Sequence, residues 1–253
     1  MKMHALSGGR LRMKKRIYVP DADRDETIEL PVSAYLFRHA SGNVLFDTGC
    51  HPSVETDAEA RWGGLAKVMT PIGAPRSDVV SSLEAIGLSP EDIDLVVNSH
   101  FHPDHCGCNA FFRNATFICH EAELASAKSP DAAAQGYLPA EWDHPMPIET
   151  VAGSHDIFGD DKLVTIALPG HTAGMIGLRA ALERSGEFLL ASDAVSLKRN
   201  LDNDEIPRNA WNADLLLSSY AEIRRIEKAG ATVLCGHDDL QWQALRKGAD
   251  AYE

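Results

Sequence analysis

The chain has 253 residues, 44% of them hydrophobic, and a formal charge of −13. That length suits one large domain with a substantial core. The acidic balance argues against nucleic acid and anionic membranes, both of which reward clustered Lys and Arg.

Residues 1–16 are basic in part but lack the apolar stretch of a secretory signal, and no segment reaches the length of a membrane span. Short apolar runs with strand character follow at 33–37 and 43–46. A helical pattern covers 79–86, closed by Gly87. Strands are predicted at 93–98 and 115–119, then a short helix at 121–128, then strands at 163–167, 175–182, 188–191 and 232–235. The clearest helix is 215–229, closed by Gly230, with Leu216, Tyr220, Ile223 and Ile226 at core-facing spacing and Asp214 as its N-cap. A last helix is predicted at 240–249. Paired strands first, then strands mixed with helices, predict an α/β fold of two sheets covered outside by helices. No linker, low-complexity run or repeat divides it, so a single domain over 1–253 is expected.

Chemistry concentrates at His100-Phe101-His102-Pro103-Asp104-His105, directly after the predicted strand 93–98. Imidazole and carboxylate are zinc ligands, and catalytic zinc keeps a position open for water. An extended turn puts His100 and His102 on one side, with Asp104 and His105 following as the chain turns toward a helix. Two adjacent pairs suit two adjacent metals better than one. His171, Asp193 and His237 also follow predicted strand ends, where a rigid scaffold presents functional groups on loops. Asp47 follows the strand at 43–46 and has two readings: it orients a ligand imidazole from behind, or Asp47-Thr48-Gly49 is simply a turn.

The remaining histidines, His4, His39, His51, His120, His144 and His155, lack this strand-end pattern and read as solvated or locally bonded, with His51 nearest the Asp47 turn. Five scattered cysteines without a C-x-x-C pair fit a reducing cytoplasm, and Cys106 and Cys108 read as small buried apolar residues, not thiolate ligands. Trp62, Trp142, Trp211 and Trp242 read as packing more readily than as a substrate wall.

In order along the chain stand Phe46-Asp47-Thr48-Gly49, Ser99-His100-x-His102-x-Asp104-His105-x-Gly107, Pro169-Gly170-His171-Thr172, Ser192-Asp193 and Gly236-His237-Asp238. This set resembles the metallo-β-lactamase superfamily across nearly the whole chain, and His at position 105 resembles its dinuclear hydrolase branch. The resemblance implies an αββα sandwich of two mixed sheets flanked by helices, and two Zn²⁺ per chain, or a similar divalent transition metal. It implies that His100, His102 and His171 bind one ion, that Asp104, His105 and His237 bind the other, and that Asp193 bridges them. A metal lowers the pKa of bound water toward ~7. A metal-bridging hydroxide would then attack a polarised carbonyl, with Asp104 able to carry a proton to the leaving group.

Within the superfamily the chain is most similar to N-acyl-homoserine lactonases and related small-lactone hydrolases, through Leu30-Pro31-Val32, Tyr35-Leu36, Val44 to Gly49, Gly107-Cys108-Asn109 and Gly236-His237-Asp238. The expected substrate is therefore a small lactone or ester, turned over by a cytoplasmic monomer or homodimer. One departure stands out. Those lactonases commonly carry a Tyr three residues after the bridging Asp, placed to hydrogen-bond the substrate carbonyl; here Ser196 holds that place. Ser196 is thus the candidate substrate contact, with a shorter reach. The alternatives are a lactone of another ring system, such as a vitamin-breakdown lactone, a glyoxalase II-type thioesterase, or a non-enzymatic metal-binding or redox partner protein on the same scaffold.

Overall fold

A computed structural model describes residues 1–253. In chain order the elements are β1 (Lys2–Lys14), β2 (Thr27–His39), β3 (Gly42–Phe46), α1 (Val54–Trp62), β4 (Thr70–Pro71), α2 (Val79–Glu84), β5 (Leu95–Val97), α3 (Pro103–Cys106), β6 (Thr116–His120), α4 (Glu121–Ala127), α5 (Pro139–Trp142), β7 (Ile148–Val151), β8 (His155–Asp156), β9 (Leu163–Ala167), β10 (Ile176–Leu182), β11 (Gly186–Ser192), α6 (Lys198–Asn203), α7 (Ala213–Lys228), β12 (Thr232–Cys235) and α8 (Asp239–Ala244). One sheet runs β4-β1-β2-β3-β5-β6-β7 and the other β12-β11-β10-β9-β8. Both are mixed: β3, β5, β6 and β7 pair in parallel, as do β11 and β12, while the remaining pairs are antiparallel. No helix is long and apolar enough to cross a membrane.

Side-chain alternation decides which residue meets which layer. Tyr35 and Phe37 of β2 and Val44 and Phe46 of β3 turn inward, where they meet Leu178, Phe188 and Leu190 of the second sheet. Their neighbours Ala34, Leu36 and Leu45 turn outward against Val79 and Leu83 of α2. On the other side, Leu189, Ala191 and Val233 pack against Leu216, Tyr220, Ile223 and Ile226 of α7, the four helix positions expected from spacing. Helix, sheet, sheet and helix therefore stack in the predicted αββα order. A one-residue slip of β2 would exchange its two faces, so the inner layer fixes the register. Truncating Phe37, fully buried in that layer, to Ala is expected to cost about 3–5 kcal/mol.

Several elements differ from expectation. Strand β1 was not expected. Its alternation is interrupted by a register shift between Ser7 and Gly9, so Met3 and Ala5 face the inner layer while Leu11 and Met13 belong to a separate apolar cluster near Tyr18. The interruption makes room for the Asp47 turn: a Cβ on Gly8 would stand 2.8 Å from Gly49 Cα. Helix α7 is capped by Asn212, whose side chain accepts from Leu215 N, and not by Asp214, which sits in the first turn. Helix α8 stops at Ala244, short of the predicted 249, because the tail turns back to pair Tyr252 with Met3 of β1.

Strands β3, β5 and β6 point one way in the first sheet, and β9, β11 and β12 share a direction in the second. Their C-terminal ends open on one edge of the sandwich. Ile176 N donates to Ser99 O at 3.0 Å and joins the two sheets there.

Candidate metal centre

Chain geometry after β5 follows from its sequence. His102 is extended (φ −71°, ψ 149°), and Pro103 opens α3 at the position where its missing N–H costs nothing. The turn that follows brings Asp104 and His105 round. His171 arrives from the loop after β9, Asp193 directly after β11, and His237 directly after β12.

These seven side chains converge. His102 Nδ1 lies 3.0 Å from both His100 Nε2 and His171 Nε2. His105 Nε2 stands 3.7 Å from Asp104 Oδ2, and His237 Nε2 stands 3.6 Å from the same oxygen. Asp193 faces both groups, with Oδ2 3.5 Å from His171 Nε2 and Oδ1 3.6 Å from His105 Nε2 and 3.0 Å from His237 Nε2. Ligands about 2.0–2.1 Å from a tetrahedral zinc are roughly 3.3 Å apart, so the observed spacing suits two ions sharing one carboxylate.

Proton placement points the same way. His105 Nδ1 is 2.9 Å from Asp47 Oδ2, His102 Nε2 is 2.9 Å from Gln135 O, and His237 Nδ1 is 2.9 Å from Pro31 O. Each of those oxygens only accepts, so each outer nitrogen carries a proton, which leaves the inner nitrogen as the one that can turn a lone pair to a metal. Ser99 Oγ gives its own proton to Asp47 Oδ2 at 2.7 Å and accepts from His100 Nδ1 at 3.0 Å. The inner atoms then lack partners: His105 Nε2, His237 Nε2 and Asp193 Oδ1 are buried without a hydrogen bond, even where two of them are 3.0 Å apart. Buried polar atoms are normally satisfied. Three orphans aimed at one another fit a divalent cation among them.

Electrostatics divide the two groups. Burial holds His100 well below the usual imidazole range, with His105 and His102 adding to it. Burial also brings His171 to about 3, against the pull of Asp193. Burial opposes charge on His105 as well, but Asp104 and Asp47 outweigh it and lift that ring to about 10. On His237 burial is outweighed by Asp193 and the ring is raised. Burial would raise Asp193, yet His237 and His171 hold it well below the carboxylate range. Burial thus favours the neutral ring in His100 and His171, whereas the carboxylates that face His105 and His237 favour a charged ring there, a charge that a bound cation would replace.

Asp47 combines both readings offered for it. It occupies a turn with φ 60°, and its carboxylate accepts from Ser99 N, Ser99 Oγ and His105 Nδ1. Gly236 leaves room for Asp193: a Cβ there would stand 2.3 Å from Asp193 Oδ1. Ser196 is a correction. It is buried, its Oγ has no partner, and it does not line the cavity above the cluster, because the turn after Asp193 carries it behind that residue.

The other histidines serve elsewhere. His4 bonds Gly248 O, His39 bonds Asp160, His51 bonds Ser53, His144 bonds Glu141 O, and His120 caps α4. His155 lies in β8. All five cysteines are buried and unpaired.

Some residues gave no sequence signal. Glu123, in the short helix after β6, is fully buried and accepts from Phe101 N, Thr172 Oγ1 and Gly174 N, tying the His100–His102 segment to the His171 loop. Above the cluster opens a cavity of about 320 Å³, walled by Tyr18, Leu65, Met69, Tyr137 and Trp211 among others, with Asp104 and Asp193 at its base. Trp211, read as packing, is 51% exposed on that wall.

Comparison with known proteins agrees with this geometry. The model of the Metallo-beta-lactamase superfamily matches residues 27–237. The N-acyl homoserine lactonase AttM of Azorhizobium caulinodans is 30% identical over 100% of this chain and 99% of its own length. The N-acyl homoserine lactonase AiiB of Agrobacterium fabrum is 32% identical over 89% of this chain and 86% of its own. A solved N-acyl homoserine lactone hydrolase, with the product N-hexanoyl-L-homoserine bound at its catalytic metal centre, superposes with a TM-score of 0.88 at 25% identity, covering 99% of this chain and 98% of its own.

Proposed function

The chain belongs to the metallo-beta-lactamase superfamily, and we propose that it opens the ester ring of a small lactone, of the N-acyl homoserine type or a close relative. At the coarser level it is a metal-dependent hydrolase of the lactonase branch. The observation that carries the finer reading is the cavity wall. It contains no Lys or Arg, so a substrate whose non-reacting part is anionic finds no side-chain counter-charge there, whereas a neutral ring with an apolar substituent meets Leu65, Met69 and Trp211. The tail beyond residue 240 does not supply the missing charge, since Arg246 lies over Tyr252 and Lys247 over Trp242.

In this reading His100, His102 and His171 would hold one ion, Asp104, His105 and His237 would hold the other, and Asp193, which faces both groups, would be shared. When bound, the metal pair supplies Lewis acidity toward the carbonyl and makes water acidic near neutral pH. The chain does the rest. Ser99, Gln135, Asp47 and Pro31 fix the ring tautomers. Attack by the water oxygen forms a new C–O bond and breaks the ring C–O bond. Asp104, at the base of the cavity, carries one proton from the attacking water to the departing ring oxygen, and the second proton leaves to solvent.

A pH-stat panel of lactones, thioesters and phosphodiesters tests this. Lactones are expected to be turned over far faster than by the His102→Ala variant. Lactone turnover no faster than that variant removes the proposal, and a thioester preference would favour the glyoxalase II-type alternative. Metal binding with no turnover on the panel would favour the non-enzymatic one.

A further inference from the structure

Attack on an ester places negative charge on the carbonyl oxygen, and one hydrogen-bond donor aimed at that oxygen is worth about 10²–10³ in rate. Ser196 cannot supply it from behind Asp193. The cavity wall holds another hydroxyl. Tyr18 closes the short turn after β1, is 2% exposed, and shares the cavity with Asp104 and Asp193. Its ring stands edge-on to His237 with centroids 6.1 Å apart.

The Tyr18 hydroxyl is free to change partner. It donates to Met13 Sδ at 3.0 Å, and a thioether is a weak acceptor. The other hydroxyls of the wall are engaged: Thr172 Oγ1 gives its proton to Glu123 Oε2 at 2.7 Å, and Tyr137 stands against that same carboxylate. A phenol ordinarily titrates at about 10, so the hydroxyl carries its proton at neutral pH.

The segment that carries Tyr18 is also held from outside. Asn200 of α6, itself fully buried, donates Nδ2–H to Tyr18 O at 2.8 Å. Arg208 N donates to Ile17 O at 2.7 Å, and the Arg208 guanidinium donates to Pro20 O at 2.7 Å. Bonds on both sides of Tyr18 thus come from the chain just beyond Asp193, the same stretch in which Ser196 is turned away. A donor fixed in this way loses little entropy when it engages the substrate.

We propose that Tyr18 is a catalytic residue of this chain, donating its hydrogen bond from Met13 to the substrate carbonyl oxygen as the ring opens, and that Asn200 is the residue that positions it. The proton stays on the phenol throughout, and no bond to Tyr18 forms or breaks. The inference rests on the reading of the protein as an acyl-ester hydrolase.

The test uses the metal-loaded protein and its Tyr18→Phe, Asn200→Ala and doubly substituted variants. Tyr18→Phe is expected to keep the metal content and melting temperature of the parent, lower kcat on the best lactone about 100-fold or more with KM within about threefold, and weaken binding of the corresponding unhydrolysed lactam. Asn200→Ala is expected to lower kcat less, about tenfold, and to add nothing on the Tyr18→Phe background. A Tyr18→Phe kcat within twofold of the parent, with lactam affinity unchanged, overturns the proposal. A parent that opens no lactone but cleaves a thioester or open-chain ester overturns the lactone reading alone; the same Tyr18→Phe comparison on that substrate then decides the role of Tyr18. Cleavage of phosphodiesters only, or of nothing, overturns both.

Discussion

The floor and the wall of the cavity are built on opposite principles. On the floor, His100, His102, His105 and His237 have their outer nitrogens held at 2.9–3.0 Å by named acceptors, while the inner atoms of His105, His237 and Asp193 lack partners. The wall is largely apolar, its Tyr18 hydroxyl bonds only a thioether, and its tryptophan is half exposed. The difference separates two tasks. The floor is unsatisfied toward a metal pair, so it sets the reaction; the wall offers apolar surface and the Tyr18 hydroxyl to its contents, so it selects the carbonyl compound and, on the proposal above, assists its reaction. Changes on the floor should abolish chemistry and metal binding together, and changes on the wall should leave the metals in place.

The largest effects should come from the floor. His102→Ala and Asp193→Ala are expected to lower turnover by on the order of 10³-fold or more, because each removes part of a unit that acts as a whole. A milder loss with full metal content would break the division between floor and wall. Next comes Asp47→Ala, which strips His105 of its acceptor and leaves Ser99 N unpaired in the interior. It should cost about 10–100-fold in metal affinity or activity, measured by competition with a chromogenic chelator, and about 1–3 kcal/mol in a denaturant melt. Gly236→Ala should weaken metal affinity in the same competition assay by about tenfold, since a Cβ would stand 2.3 Å from Asp193 Oδ1. The smallest change belongs to the wall. Trp211→Ala should raise KM for a long-chain acyl lactone by about three- to tenfold while kcat and metal content hold, which is the scale of losing part of an apolar contact. Loss of metal in Trp211→Ala would show that the wall also supports the floor.

That contrast also explains what could be read before the structure. The floor was legible because each component sits in a short motif at a strand end, and the order of those motifs along the chain carries the fold with it. Strands β2 and β3 were legible as the apolar runs 33–37 and 43–46, but with both faces covered the runs are continuous, and which side looks inward came only from the structure. Strand β1 was not, since the register shift at Ser7/Gly9 breaks the period of two on which strand recognition rests. Glu123 gave no signal because the donors to its carboxylate, Phe101 N, Thr172 Oγ1 and Gly174 N, lie far from it in the chain. The wall was the least legible. Tyr18, Leu65, Tyr137 and Trp211 come from four separate segments and carry no common motif. Attention to position 196 was sound as a question about the carbonyl donor, but only the tertiary structure turns Ser196 away and brings Tyr18 to the cavity.

The central claim is that this chain holds two metal ions with Asp193 between them. It is tested most directly by elemental analysis of the purified protein and of its Asp193→Ala variant after dialysis against metal-free buffer. Close to two zinc or similar divalent ions per chain in the parent, falling to one or fewer in the variant, is the predicted result. Fewer than one ion in the parent, or an unchanged content in the variant, would contradict it.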